Sequence, residues 1–249
     1  MEIKKGFVNR DGIAYPKVRE IAFTKDNYFG NLGTLVNETK KEPDLFFGTD
    51  SMDFDDRGVY IYKSDYDERK ALRIYKSFTE YKFNGDKDDE LVARLQKLQR
   101  RIKLTEFPAG IVTLDGNIIG QEIPYYEEYN PFIEVKDNIR LVEILNIYKK
   151  CLLIIKELND KGIQYLDIHA KNFLINSDLD VKLIDFENDL VKFNDKESTI
   201  ITLDRFYEMI NYINKGIKEL EPIKKEQSFD EALLSIDRLE KKYIKRSSR

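Results

Sequence analysis

Apolar side chains recur every three or four residues between positions 139 and 159, which is the spacing of a helix with one buried face. The stripe consists of Leu141, Ile144, Leu145, Tyr148, Leu152, Ile155 and Leu158. Polar residues and Gly162 follow directly, and glycine suits the left-handed conformation that often ends a helix. The pattern therefore predicts a core helix over residues 139–159.

The pattern changes to short strands after this helix. Phe173–Ile175 and Val181–Ile184 are apolar runs on either side of a polar turn, so we predict a β-hairpin. Asp167 and Asn172 precede the first strand, and Asp185 follows the second. Such a hairpin would set Asn172 and Asp185 side by side.

The first half of the chain contains short runs of β-branched and aromatic residues, as strands do. We predict that Val59–Tyr62 and Ala71–Tyr75 are neighbouring strands joined by a polar turn. Ile111–Leu114 and Asn117–Ile119 flank an Asp-Gly pair, which tight hairpin turns favour. The first half is therefore predicted to be rich in β-structure.

The remaining segments are less regular. Asp88–Lys103 has the spacing of an amphipathic helix. Its apolar stripe consists of Leu91, Leu95, Leu98 and Ile102. Residues 1–46 hold short β-like runs, and we expect them to extend the β-rich half. The last forty residues contain two short helical stretches by their pattern.

Composition narrows the class of protein. A chain of 249 residues is long enough to bury a sizeable core. The net charge is −4 with the two signs well mixed, so nothing points to nucleic acid or a membrane surface. There is no apolar run of the ~18 residues that a membrane span needs, nor a signal-peptide pattern, and we expect a cytoplasmic protein. Cys151 is the only cysteine, which excludes a disulfide framework.

Asp167, Asn172 and Asp185 are the residue types that phosphoryl transfer needs. The reaction requires a carboxylate that orients the attacking hydroxyl and accepts its proton, and metal ions that bridge the phosphates. Asp167 would be the catalytic carboxylate, and Asn172 and Asp185 would supply the oxygen ligands that Mg²⁺ prefers. The alternative is that all three residues only form turns, where Asp and Asn are common.

Asp167-Ile-His-Ala-Lys-Asn172 matches the D-L-x-x-x-N core of the kinase catalytic loop, and Ile184-Asp185-Phe186 matches the start of D-F-G. With the preceding helix and the hairpin, these motifs resemble the protein kinase-like superfamily. The resemblance implies an α+β, bilobal protein kinase-like fold with a β-rich N-lobe and a reduced, mainly helical C-lobe. Residues 1–124 would form the N-lobe, with 1–46 an extension of uncertain structure, and 125–249 the C-lobe. ATP and Mg²⁺ are the implied cofactors.

Several residues depart from the protein kinase pattern. Tyr165-Leu166 stands where protein kinases carry His-Arg, Glu187 replaces the glycine of D-F-G, and no A-P-E motif follows. His169, the only histidine, gives the loop the D-x-H-x-x-N form of aminoglycoside phosphotransferase-like kinases. Asp-Phe-Glu also resembles the metal motif of choline-kinase-type enzymes. For His169, local packing and a role near phosphate are equal alternatives.

The phosphate-binding lysine of the family has no direct counterpart here. Arg73 takes its position in the third strand, because Arg73 and Ala71 share one strand face as the family's lysine and alanine do. Lys76 is the second candidate, although it falls on the opposite face. Glu90 would pair with Arg73, unless it is a solvated residue at a helix start. The G-x-G-x-x-G loop is absent, and residues 47–58 are acidic instead.

The segment 120–126 falls where the resemblance places the interlobe hinge. Backbone groups of Glu122, Ile123 and Tyr125 would hydrogen-bond adenine there. Pro124 removes one possible donor from this segment. These three residues complete the set of predicted nucleotide contacts.

Together these features favour an ATP-dependent phosphotransferase that moves the γ-phosphoryl group to a hydroxyl. Protein serine or threonine is the first acceptor, because the catalytic loop follows the protein-kinase pattern. A small-molecule hydroxyl is the alternative, given Asp-Phe-Glu and the missing A-P-E motif. A third possibility is a pseudokinase that acts as an interaction module, which Arg73 and the acidic segment 47–58 favour. A protein regulator would be a further partner if it orders that acidic segment.

Overall fold

In the computed structural model, the chain forms two compact units, Met1–Tyr126 and Glu127–Arg249. The fold contains both helices and strands. The described residues are 1–9, 11–24, 26–27, 32–39, 59–75, 85–102, 110–186, 190–193, 199–215, 223 and 225–247. Within these ranges, no helix is long and apolar enough to cross a membrane.

A seven-stranded sheet forms the first unit. The elements in chain order are β1 (Glu2–Lys4), β2 (Phe7–Val8), β3 (Ala14–Tyr15), β4 (Arg19–Phe23), β5 (Thr34–Thr39), β6 (Val59–Lys63), β7 (Lys70–Tyr75), α1 (Gly85–Arg101), β8 (Gly110–Leu114) and β9 (Asn117–Pro124). The sheet has the order β1-β4-β8-β9-β7-β6-β5, and β2 pairs with β3 alone. Its neighbours are antiparallel except β4 and β8, which run parallel.

Four strands of the sheet follow the sequence pattern and confirm the prediction. β6 and β7 are antiparallel neighbours. β8 and β9 form a hairpin over Asp115 and Gly116, whose φ angles of 48° and 78° are the left-handed values that a tight hairpin turn requires. β1 and β4 at one edge and β5 at the other come from residues 1–46, so this segment lengthens the sheet in both directions.

One face of the sheet carries an apolar core. Leu72 and Ile74 of β7 are buried in it, and Arg73 between them faces the other side because side chains alternate along a strand. The other buried members of this core are Ile21, Phe23, Leu32, Val112, Leu114 and Ile119. Since β4 contributes two of them, the early strand is packed into the sheet as well as hydrogen-bonded to it.

Helices dominate the second unit. Its elements are β10 (Asn130–Pro131), α2 (Phe132–Val135), a 3₁₀ helix (Lys136–Asn138), α3 (Leu141–Asp160), β11 (Ile163–Tyr165), β12 (Phe173–Ile175), β13 (Val181–Leu183), β14 (Val191–Phe193), α4 (Thr199–Asn214) and α5 (Phe229–Ser247). β10, β12 and β13 form a small sheet, and β11 pairs with β14.

The predicted core helix is α3, and the prediction is confirmed. Its buried residues are Ile144, Leu145, Ile147, Tyr148, Cys151, Leu152, Ile155 and Leu158. Gly162, two residues after the last helical residue, has the expected left-handed φ of 69°. The helix therefore ends just before β11, which leads into the loop that contains Asp167 and Asn172.

The end of the chain differs from the two short helical stretches that the pattern suggested. Phe229–Ser247 is a single helix of 19 residues, and the Ser228 hydroxyl accepts a backbone N–H at its start. Lys149 of α3 binds Asp237 and Glu240 of α5 at 2.6 and 2.9 Å. Contacts with α3 thus support one continuous helix, which local sequence alone did not indicate.

Candidate functional site

The loop between β11 and β12 brings Asp167 and Asn172 together. Asn172 Nδ2 lies 2.9 Å from Asp167 Oδ2 and 3.1 Å from the Asp167 carbonyl oxygen. The Asn172 N–H also donates to the carbonyl of His169 at 3.0 Å. Asn172 is buried, so these bonds fix the loop in one conformation.

His169 contacts the second oxygen of the same carboxylate. His169 Nε2 lies 3.3 Å from Asp167 Oδ1, and the imidazole side chain is 46% exposed. Both oxygens of Asp167 therefore have a neighbour within the loop, with the amide on one side and the imidazole on the other. This arrangement orients the carboxylate rather than leaving it to rotate in solvent.

Asp185 lies two residues after β13, which pairs with the strand that begins where this loop ends. Phe173 lies opposite Leu183 in the β12–β13 hairpin, and the Ile184 N–H donates to the Asn172 carbonyl at 3.0 Å. The hairpin confirms the two predicted strands. Asp185 itself has a left-handed φ of 67°, a conformation that aspartate tolerates better than most residues. The chain thus turns sharply at the residue predicted to bind a metal ion.

Tyr165 links these parts, although by sequence it is only a departure from the protein kinase pattern. Its hydroxyl donates to the Ile184 carbonyl at 2.8 Å and accepts from Asn172 Nδ2 at 2.9 Å. Its ring packs edge-on against Phe186, with the ring centres 5.4 Å apart. The one sign of this role in the sequence is that a tyrosine ends the strand just before the Asp167–Asn172 motif.

The oxygen donors of Asn172 and Asp185 suit a hard cation. Because Asn172 Nδ2 faces three oxygens, the amide oxygen is the atom of this side chain left to coordinate a metal ion. No cluster of three His, Cys, Asp or Glu side chains that could hold a metal occurs among the described residues. Mg²⁺ fits such a sparse set, since it keeps several waters and takes one or two protein ligands beside phosphate oxygens.

Arg73 lies in the first unit, on β7. It pairs with Gln121 of β9 and is half-buried, and Ala71 shares its face as predicted. Lys76 lies outside the described residues. The same holds for the side chain of Glu90, whose backbone belongs to α1, and for residues 47–58. The proposed pairing of Glu90 with Arg73 therefore stays a prediction.

The predicted hinge residues take part in the sheet of the first unit. Glu122 lies opposite Leu72 of β7 and Gly110 of β8, and Ile123 lies opposite Ala71. The Tyr125 N–H donates to the Arg69 carbonyl at 2.9 Å. Their contact with adenine stays a prediction.

Glu122 also has a side-chain environment that the sequence did not indicate. Its carboxylate is fully buried and accepts from Arg19 Nε at 3.1 Å, from a second Arg19 nitrogen, and from the Tyr66 hydroxyl at 2.7 Å. Burial raises the pKa of Tyr66, and the negative charge of Glu122 raises it further. For Arg19, burial acts to lower the pKa, but the hydrogen bond and charge of Glu122 outweigh it, so the pKa is raised.

The chain is similar in fold to solved structures. No family model and no curated protein matches the sequence. Among solved structures, an apo pseudokinase matches with a TM-score of 0.55 and 7% sequence identity, covering 88% of this chain and 97% of the other. At this identity the similarity concerns the fold alone. It supports a protein kinase-like fold for this chain.

Proposed function

We propose that this protein is an ATP-dependent phosphotransferase that moves the γ-phosphoryl group of ATP to a hydroxyl. The observation that carries the proposal is the hydrogen-bonded cluster of Asp167 and Asn172, with Asp185 one residue after the backbone bond to Asn172. A fold without phosphotransfer chemistry has no need to combine these three side chains, two in one loop and the third shortly after β13.

Each residue would have a defined role. Asp167 orients the acceptor hydroxyl and takes its proton as the oxygen attacks the γ-phosphorus, while the bond to the bridging oxygen breaks and ADP leaves. Asn172 and Asp185 would hold Mg²⁺, which supplies positive charge against the phosphates when bound. His169 would hold Asp167 through its second oxygen.

The first unit would supply nucleotide contacts. Arg73, or Lys76 in its place, would bind phosphate, and arginine can do so through two parallel N–H groups. Glu90 would pair with Arg73, and backbone groups of Glu122, Ile123 and Tyr125 would contact adenine. These assignments rest on the motif resemblance and on the strand face that Arg73 shares with Ala71.

Protein serine or threonine is the first acceptor that we propose. The supporting observation is the segment Gly162-Ile-Gln-Tyr-Leu-Asp167, which follows the protein-kinase pattern. A small-molecule hydroxyl is the second, supported by His169 within the loop and by Glu187 after Asp-Phe. A regulator protein is a further partner for either enzyme.

A non-catalytic pseudokinase is the competing function. Arg73 in the position of the family's lysine favours it, and so does the fold match to a pseudokinase. Arginine is bulkier than lysine and places its charge differently, so phosphate binding in this position is altered. The Asp167, Asn172 and Asp185 cluster favours catalysis.

The deciding experiment incubates the protein with Mg²⁺ and γ-labelled ATP, alone and with a cell lysate. Asp167→Asn is run beside it, with Asp178→Asn as the matched control, because Asp178 is exposed on a turn of the same unit. Label that Asp167→Asn removes and Asp178→Asn keeps supports the enzyme. Label on protein identifies a protein kinase, and label only on small molecules identifies the second acceptor class. Nucleotide binding without transfer would establish the pseudokinase instead.

A further inference from the structure

The Tyr165 hydroxyl contacts both segments that carry the proposed metal ligands, the one with Asn172 and the one that precedes Asp185. Tyr165 is fully buried on β11, opposite Val191 of β14. The hydroxyl is within hydrogen-bond distance of the Ile184 carbonyl and of Asn172 Nδ2. One side chain therefore contacts both segments that carry the proposed metal ligands.

The direction of these hydrogen bonds fixes the Asn172 amide. A tyrosine hydroxyl has one proton, and here it is given to the Ile184 carbonyl at 2.8 Å. Towards Asn172 the hydroxyl can then only accept, and the two Asp167 oxygens near Nδ2 accept as well. An inverted amide would place its oxygen against three acceptors. The arrangement therefore holds the amide nitrogen inward and leaves the amide oxygen for a cation.

The same hydroxyl also restrains the position of Asp185. Ile184 immediately precedes Asp185, and its carbonyl is held by Tyr165 while its N–H is held by Asn172. The Tyr165 ring contacts Phe186 on the other side of Asp185. Asp185 is thus flanked by two residues that both contact Tyr165.

We propose that Tyr165 is a positioning residue, whose hydroxyl sets the affinity of Asn172 and Asp185 for a divalent cation. The inference rests on the proposed function, since it takes these two residues as the metal ligands. Removal of groups that orient metal ligands typically costs about 10–100-fold in metal affinity. The effect of losing this hydroxyl falls in that range.

Tyr165→Phe tests the proposal, because it keeps the ring and removes the hydroxyl. Tyr148→Phe is the matched control in the same unit. Tyr148 is also fully buried, its hydroxyl donates to Asn214 Oδ1 at 2.7 Å, and its ring packs edge-on against Phe132 at 5.9 Å. The probe is Mn²⁺ in the presence of a non-hydrolysable ATP analogue, and its binding is measured by electron paramagnetic resonance.

We expect the Mn²⁺ dissociation constant to rise by about tenfold or more in Tyr165→Phe and to stay within about twofold of the parent in Tyr148→Phe. In an Asn172→Ala background, Tyr165→Phe should raise the Mn²⁺ dissociation constant by less than it does in the parent, because the amide that it orients is gone and only its hydrogen bond to the Ile184 carbonyl is left to lose. Circular dichroism confirms that each variant is folded. Equal Mn²⁺ affinity in Tyr165→Phe and the parent would overturn the proposal, as would an equal loss in both Tyr→Phe variants.

The binding measurement separates this proposal from the proposed function. Suppose that the parent binds Mn²⁺ more tightly than Tyr165→Phe and yet transfers no phosphoryl group. That result would refute phosphotransfer and support the role of Tyr165. A parent that transfers phosphoryl with unchanged Mn²⁺ affinity in Tyr165→Phe would support the function and refute the role of Tyr165. A parent without Mn²⁺ affinity would refute the role of Tyr165 as well. If Tyr165→Phe does not fold, the Asn172→Ala variant of the parent decides, since unchanged Mn²⁺ binding there also overturns the proposal.

Discussion

Arg19 forms a buried ion pair with Glu122, although the two residues are 103 positions apart in the sequence. The Glu122 side chain is 0% exposed and Arg19 is 34% exposed. Gly110 lies between them in the sheet, and a Cβ there would come within 3.0 Å of Glu122 Oε2. A residue without a side chain thus makes room for the pair that joins β4 to β9.

Arg19→Met should destabilise the protein strongly. Methionine keeps much of the apolar stem and removes the charge, so the buried Glu122 carboxylate loses its partner, at a cost of about 3–5 kcal/mol. Equilibrium unfolding in urea measures the change. Arg69→Met is the matched control, because Arg69 pairs with Asp67 but is 84% exposed, and its loss should cost at most about 1 kcal/mol.

A double variant separates the pair from the general effect of removing an arginine. In Arg19→Met with Glu122→Met, no charge is left unpaired, and most of the lost stability should return. If Arg19→Met lowers the free energy of unfolding no more than Arg69→Met does, the pair of Arg19 with Glu122 does not stabilise the fold more than an exposed pair.

Stability should fall at alkaline pH because of two tyrosines, Tyr148, which is buried, and Tyr66, which is half-buried. Burial raises the pKa of Tyr66, with a further increase from the charge of Glu122, and burial raises the pKa of Tyr148. The folded state therefore favours the neutral phenols. The two phenols contribute fully to the free energy of unfolding below the tyrosine pKa of the unfolded chain, which is about 10. This contribution is lost as the pH rises from there towards the higher pKa of the folded protein.

Urea unfolding at pH 9, 10 and 11 checks this prediction. Each of these two tyrosines should contribute up to about 1.4 kcal/mol of lost stability per pH unit above pH 10, and Tyr148→Phe should remove its share of the slope. Tyr212→Phe is the control, because Tyr212 is 47% exposed. An identical slope in Tyr148→Phe and in the parent would show that Tyr148 does not titrate differently on unfolding.

The parts of the fold that were predictable are those with a local signal. α3 has a regular apolar stripe and a glycine end, and the β8–β9 hairpin has its Asp-Gly turn. The parallel pairing of β4 with β8 has no such signal, because it joins distant segments that are both short. The last forty residues were predicted to contain two short helical stretches, and the length of α5 was missed because it depends on packing against α3.

The candidate site was predictable where chemistry dictates residue type and spacing. The motif is sufficient to predict Asp167, Asn172 and Asp185. The β12–β13 hairpin, with the hydrogen bond from the Ile184 N–H to the Asn172 carbonyl, brings the chain at Asp185 next to Asn172. The hydroxyl bonds of Tyr165 were not predictable, because they depend on three separate segments meeting in the fold. Glu122 was predicted to contact adenine through its backbone. Its side chain forms an ion pair with Arg19, and no local sequence pattern connects these two residues.

Asp185→Asn should weaken Mg²⁺-dependent nucleotide binding as well as turnover. The change keeps the side-chain size and replaces a charged oxygen ligand with a weaker neutral one, which Mg²⁺ disfavours. Calorimetry of ATP binding across a range of Mg²⁺ concentrations measures the effect. Asp178→Asn is again the control, since Asp178 is exposed on the turn of the same hairpin. A Mg²⁺ dependence like that of the parent would remove Asp185 from the metal site.

His169→Ala should lower turnover if the imidazole holds the Asp167 carboxylate in place. His169 Nε2 lies 3.3 Å from Asp167 Oδ1, and a hydrogen bond to a charged group contributes about 1.5–3 kcal/mol. Since about 1.36 kcal/mol corresponds to a tenfold change in rate, the expected loss in kcat is about tenfold or more. His169→Gln retains an N–H donor and should recover part of the loss.

Steady-state kinetics with ATP and acceptor varied separately distinguishes this role from phosphate binding. A positioning role predicts a lower kcat with an almost unchanged KM for ATP, because the Asp167 carboxylate acts on the acceptor hydroxyl and not on the nucleotide. A raised KM for ATP that only a positively charged replacement such as His169→Lys corrects would instead place His169 against the phosphates. Full activity in His169→Ala would show that the contact with Asp167 has no part in catalysis, and Asn172 would then be sufficient to orient the carboxylate.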